Sequence, residues 1–175
     1  MPVEREWLNG AAQYPNVALE ALPAALSSVF ASGAIPSKFF YYFTADSAIE
    51  EVHGVPGRRV VRFGYTRPGD FVAVDLDNFE VLQIRAGATN VTALINSSIE
   101  AFSDFMRLCE ERYPYYVTGG DSDFDVFMSA ADVLKSGLAV IDSRAFEPGS
   151  YWSDFLSDVG NGDYGEPSDE DDEDW

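Results

Sequence analysis

Cysteine and histidine are almost missing from this chain. Its 175 residues contain one of each, Cys109 and His53. That excludes an internal disulfide, a thiolate metal centre, and a zinc site or metal dyad built on imidazoles. Cations are scarce as well, with 11 Lys and Arg against 30 Asp and Glu, a formal net charge of −19. A surface this acidic repels phosphate, so direct binding to nucleic acid or to an anionic membrane is disfavoured and any partner is expected to be basic. No apolar run reaches the roughly 18 residues that would span a bilayer. Residues Met1 to Gly10 include Glu4, Arg5 and Glu6 and have no apolar core of a signal peptide, so a cytoplasmic protein is expected. The sequons Asn90-Val91-Thr92 and Asn96-Ser97-Ser98 carry no weight without such a signal. There is no internal repeat of about 20 to 50 residues.

What is abundant is aromatic mass. Hydrophobic residues make up 46% and aromatics 14%, with 13 Phe, 9 Tyr and 3 Trp, enough for one real core. From Asp163 onward there are eight carboxylates and no cation. The expected organisation is therefore a single domain over 1–162 and a disordered acidic tail over 163–175.

Periodicity outlines the elements. The Ala- and Leu-rich segment 16–31 has helical spacing, split at Pro23 and stopped by Gly33. Phe39 to Phe43 reads as one buried strand, and 46–59 as a loop containing Gly54, Pro56 and Gly57. Strands are expected at Val60–Tyr65, Phe71–Leu76, Val81–Ile84 and Val91–Ile95, joined by turns at Arg67-Pro68-Gly69-Asp70 and Asp77-Asn78. Connections this short demand an antiparallel meander. Ser97 and Glu100 have capping-box spacing, and Ile99, Phe102, Met106, Cys109 and Tyr113 follow on one helical stripe closed by Pro114. Cys109 thus reads as a buried structural thiol. A helix is expected from Asp123 to Ser136 with Gly137 as its stop, and another from about Ser150 to Gly160 with Trp152, Phe155, Leu156 and Val159 inward. Helix, meander, then helices is an α+β order, a central antiparallel β-sheet with helices packed mainly on one side.

Chemistry-bearing patterns are thin. Asp121, Asp123 and Asp125 begin like a calcium loop, but the sixth position is Val126 and the twelfth is Asp132. An acid-rich helix start explains them without a metal. His53 precedes Gly54-Val55-Pro56-Gly57-Arg58-Arg59, which has neither phosphate-loop spacing nor a nucleophile in a recognisable signature, and reads as a surface loop. No catalytic residue, cofactor or metal is expected, and no intrinsic hydrolase or transferase activity. The candidate partner-binding residues are Asp121, Asp123 and Asp125, with Tyr115 and Tyr116 as aromatic anchors beside Gly119-Gly120.

The order of short motifs carries further. Gly33-Ala34-Ile35-Pro36 follows the first helical segment; the hairpin from Gly69 to Leu76 runs into Glu80-Val81-Leu82; Ile95-Asn96-Ser97-Ser98-Ile99-Glu100-Ala101-Phe102 enters a helix; Val140-Ile141-Asp142 precedes Tyr151-Trp152. Over roughly residues 25 to 160 this resembles the SUKH superfamily, most closely its fourth immunity-protein subgroup. The resemblance implies an α+β domain without enzymatic activity that binds and neutralises a cognate polymorphic toxin, often a nuclease or a nucleic-acid deaminase. It brings no catalytic residues. A regulatory or scaffold protein on the same fold is the alternative.

Overall fold

Pro23 cannot donate a backbone hydrogen bond, and it divides the first helical segment into α1 (Asn16–Glu20) and α2 (Ala24–Ala31). The computed structural model describes residues 7–66, 69–85, 87, 90–117, 124–146 and 150–166. Among them, six strands follow in sequence order as one antiparallel meander: β1 (Lys38–Phe39), β2 (Phe43–Val52), β3 (Val60–Tyr65), β4 (Phe71–Asp75), β5 (Val81–Ile84) and β6 (Val91–Asn96). Residues 67 and 68 of the expected β3–β4 turn lie outside the described residues; its ends are joined by Thr66 N–H donating to the Asp70 carbonyl.

Two expectations fail at the start of the sheet. Phe39 to Phe43 is a tight hairpin, with Phe39 paired to Phe43 and Phe40 at φ +44°. The unbroken aromatic run hides a turn because its side chains are held by tertiary packing: the Phe40 ring meets Tyr164 and Tyr42 meets Phe155. The expected loop from 46 is instead most of β2. Its Ala, Ser, Asp and Glu residues are poor strand formers, and pairing with β3 overrides that preference. The two strands approach closely at Gly64, where an added Cβ would lie 2.3 Å from Cε2 of Phe43.

Alternation then sorts the sheet into two faces. Phe43, Phe63, Val72, Val74, Val81 and Ile95 join the main core with helical residues, whereas Val60, Ala73, Leu82 and Ile84 form a second cluster closed by Val55 from the β2–β3 loop. The second cluster contains no helical residue, so the helices do pack on one side.

The helical layer consists of α3 (Ile99–Arg112), α4 (Phe124–Ile141), a 3-10 turn (Ser143–Phe146) and α5 (Tyr151–Asn161). Ser98, not Ser97, caps α3, accepting from the Ala101 amide at 3.1 Å. Gly137 does not stop α4, which runs four residues beyond it to Ile141. A Cβ at 137 would sit 3.2 Å from Leu108 Cδ2, so this glycine serves the approach of α4 to α3. Gly160 likewise lies within α5, which ends at Gly162 in the left-handed region, φ +96°. The chain remains in the fold beyond the expected boundary at 162. Tyr164 is buried, and β8 (Gly165–Glu166) pairs in parallel with β7 (Tyr116–Val117), because an aromatic side chain and a strand edge hold what composition alone assigned to the tail. Residues 167–175, including Trp175, lie outside the described residues.

Candidate functional site

The short motifs noted in the sequence meet at one buried point. Trp152 Nε1 on α5 donates to Asn96 Oδ1 at the end of β6 at 2.9 Å, and Asn96 Nδ2 donates to Asp142 Oδ2 at 3.3 Å. Asp142 also accepts from the Ser97 amide at 2.7 Å and from the Arg144 amide at 3.1 Å. All three side chains are buried and partnered, so this polar lock ties the sheet to the C-terminal helices. Its role is architectural.

On the sheet side, cations and carboxylates are matched. Arg58 Nη1 reaches Asp75 at 2.7 Å and Glu80 at 3.0 Å, and Arg144 reaches the other Glu80 oxygen at 3.0 Å. Burial alone would raise the Glu80 pKa, but hydrogen bonds from Arg58 and Arg144 hold it below the ordinary carboxylate value. Arg62 spans Asp46 at 2.9 Å and Glu50 at 2.8 Å. His53 is exposed, its Nδ1 3.8 Å from Glu51. Among the described residues no group of three or more His, Cys, Asp or Glu is arranged to hold a metal ion.

The aromatic anchors expected at Tyr115 and Tyr116 point inward. Tyr115 is largely buried, and its hydroxyl donates to the Cys109 carbonyl at 3.0 Å. Tyr116 is 5% exposed; its hydroxyl donates to the Val159 carbonyl at 3.1 Å and accepts from the Tyr164 amide at 2.8 Å. Desolvation raises both phenol pKa values, and it raises that of the fully buried Cys109 thiol. Tyr115 and Tyr116 are covered because β8 and α5 close over them, whereas Tyr113 remains 37% exposed. Asp121 and Asp123, with Gly119 and Gly120, lie outside the described residues; Asp125 is exposed in the first turn of α4. Two residues on, Phe127 packs on the Tyr116 ring at 4.5 Å and against the backbone position of Gly162. The start of α4 therefore borders the turn that follows α5.

Just past that turn lies a cleft that the sequence reading missed. It has a volume of about 410 Å³ and is lined by Tyr41, Tyr42, Asp154, Asp158, Asp163 and Tyr164. Asp154 and Asp158 stand one turn apart on α5, Asp163 follows its glycine cap, and Tyr41 and Tyr42 come from the β1–β2 hairpin. Tyr42 donates its hydroxyl to Asp158. Among the described residues none of the three carboxylates has an ion-pair partner. Two signals were available in the sequence, the i,i+4 aspartates on the polar side of α5 and the paired tyrosines. Neither could be connected without knowing that 39–43 is a hairpin and that 163–164 belongs to the body.

Among the described residues no helix is long and apolar enough to cross a membrane. No curated protein and no solved structure matches the chain significantly. The family model of the SUKH-4 immunity protein matches residues 21–158, from just before α2 to the last turn of α5, and includes every member of the Asn96–Asp142–Trp152 lock. That match covers most of the chain, and the protein belongs to the SUKH-4 immunity protein family.

Proposed function

We propose that this protein binds a cognate toxin domain of basic character, a nuclease or nucleic-acid deaminase, and neutralises it by covering the cationic groove in which the toxin would hold nucleic acid. Family membership supplies the toxin as partner. The observation that carries its basic character is the segregation of charge along the chain. Residues 1–112 hold 9 of the 11 Lys and Arg and 14 of the 30 Asp and Glu, whereas residues 113–175 hold 2 and 16. The C-terminal part thus presents a strongly negative field, suited to steering a positive partner and to occupying a phosphate-binding surface. Asp121, Asp123 and Asp125 supply part of that surface. Tyr115 and Tyr116 are not included, since both are committed to the core. The protein acts by contact, without chemistry of its own.

The test is co-expression with the toxin domain encoded in the adjacent reading frame, followed by stopped-flow association of the purified pair. Growth rescue is expected, with an association rate that falls steeply with salt. Changing Asp121, Asp123 and Asp125 together to Asn should slow association and flatten its salt dependence while the fold is kept. A neighbour that is not toxic, or an association rate indifferent to salt, overturns the reading.

A further inference from the structure

The cleft between the β1–β2 hairpin and α5 is poorly explained by folding. Asp154 and Asp158 are like charges at i and i+4, an unfavourable pair on a helix surface, although Asp154 itself lies in the first turn, where the helix dipole favours it. Asp158 and Asp163 also flank the C-terminus of α5, where the helix dipole disfavours negative charge, and no basic residue lies in the last turn. Asp154 and Asp163 accept no hydrogen bond among the described residues that would offset this. The cleft floor holds a phenol whose hydroxyl is open to the cavity. Tyr164 is 6% exposed and lines the cavity, yet among the described residues its hydroxyl has no hydrogen-bond partner. Its surroundings are negative, with Asp158 and Asp163 both acting on it. The cavity volume of about 410 Å³ lies within the range of roughly 300–1,000 Å³ common to built ligand pockets.

We propose that this cleft is the receptor for one arginine side chain projecting from the protein partner. The partner's being a toxin rests on the function proposed above; the choice of arginine rests on the lining alone. Three carboxylates demand a cation. The metal alternative is disfavoured by geometry, because the aspartates do not converge as a ligand set. Three tyrosines favour a planar cation that stacks as it hydrogen-bonds, which guanidinium does and ammonium does not. Its five N–H donors match the acceptors present: Asp154 and Asp163, the second oxygen of Asp158, and the unpartnered Tyr164 hydroxyl as acceptor. Tyr41, 66% exposed at the mouth, is the aromatic wall most open to a partner. Lys38 has its Nζ 5.8 Å from the Tyr41 ring centroid, so that ring already accommodates a cation.

The probe is N-acetyl-arginine amide, titrated into the full chain at fixed ionic strength and followed by ¹H–¹⁵N spectra. Saturable shifts are expected in Tyr41, Tyr42, Asp154, Asp158 and Tyr164, at least threefold tighter than with N-acetyl-lysine amide. The triple change Asp154→Asn, Asp158→Asn, Asp163→Asn should abolish them, while Glu51→Gln with Asp77→Asn, which removes carboxylates from the sheet side, should leave them intact. Tyr41→Leu, at an exposed position, should weaken arginine more than lysine. Equal response to both amides, tighter saturable binding of spermidine, or shifts that survive the triple change would each overturn the arginine site. With the toxin domain, the triple variant should lose at least tenfold in affinity. If it binds as the wild type does, the cleft proposal fails and the immunity reading stands. If the wild type does not bind, the immunity reading fails and the amide titration still judges the cleft.

Discussion

The two ends of this molecule treat charge in opposite ways. Around β2 to β5, carboxylates are met by arginines at hydrogen-bond distance, as in the Arg58–Asp75–Glu80–Arg144 network and the Arg62 bridge. Around α5, the carboxylates Asp154, Asp158 and Asp163 line one cleft, and among the described residues none of them has an ion-pair partner. Charge that serves a fold is neutralised inside that fold. Charge left unneutralised at some cost to a helix is available to a partner. The polar lock of Asn96, Asp142 and Trp152 joins the two regions, so it is the place where breaking one breaks both.

That lock gives the largest expected effect. Trp152→Ala removes a fully buried indole and strands the Asn96 amide, and should cost about 3–5 kcal/mol in urea unfolding, with both regions loosened together. Retained wild-type stability would show that the two regions are independent. Next comes truncation. Ending the chain after Gly162 removes buried Tyr164 and strand β8, and should cost about 1.5–3 kcal/mol, whereas ending it after Glu166 should shift the thermal midpoint by less than about 4 °C.

Glu80→Gln tests the paired region and should cost about 1 kcal/mol near neutral pH. Its sign with pH follows from a folded-state pKa held below the ordinary value. The stabilisation is complete above the unfolded carboxylate pKa and is lost as pH falls through the lowered one, so the gap between variant and wild type should close on acidification. Asp104 and Glu110, raised by burial, contribute the opposite slope but do so equally in both proteins. The smallest effect is near zero. Asp154→Asn relieves an i,i+4 repulsion with Asp158 but gives up a first-turn carboxylate, and should leave stability unchanged within about 0.5 kcal/mol. A clear loss in chemical denaturation would mean that this aspartate serves the fold after all, and the comparison would collapse.

Much of this was legible beforehand wherever local rules and tertiary packing agree. The alternation in Phe71 to Asp75, the Pro23 break and the stripe from Ile99 to Cys109 each specify an element without outside help. The helix-stopping reading of Gly137 and Gly160 failed because a glycine permits close helix contact as readily as it permits a turn. The inward turn of Tyr115 and Tyr116 was not legible for a related reason, since sequence does not say which tyrosine a later strand will cover.

By itself the sequence determined the meander from β3 to β6, the acidic character, the poverty in metal ligands and the motif order that places the chain in its family. Those depend on residue type and on spacing over a few residues. The tertiary structure alone decided that Phe39 to Phe43 folds back as a hairpin, that Asn96, Asp142 and Trp152 form one lock, and that tyrosines near residue 42 meet aspartates near residue 158 around a single cleft. The lock joins positions 46 and 56 residues apart and the cleft joins positions 116 apart, and the energy that selects such meetings is the packing of a common aromatic core, which no local pattern encodes.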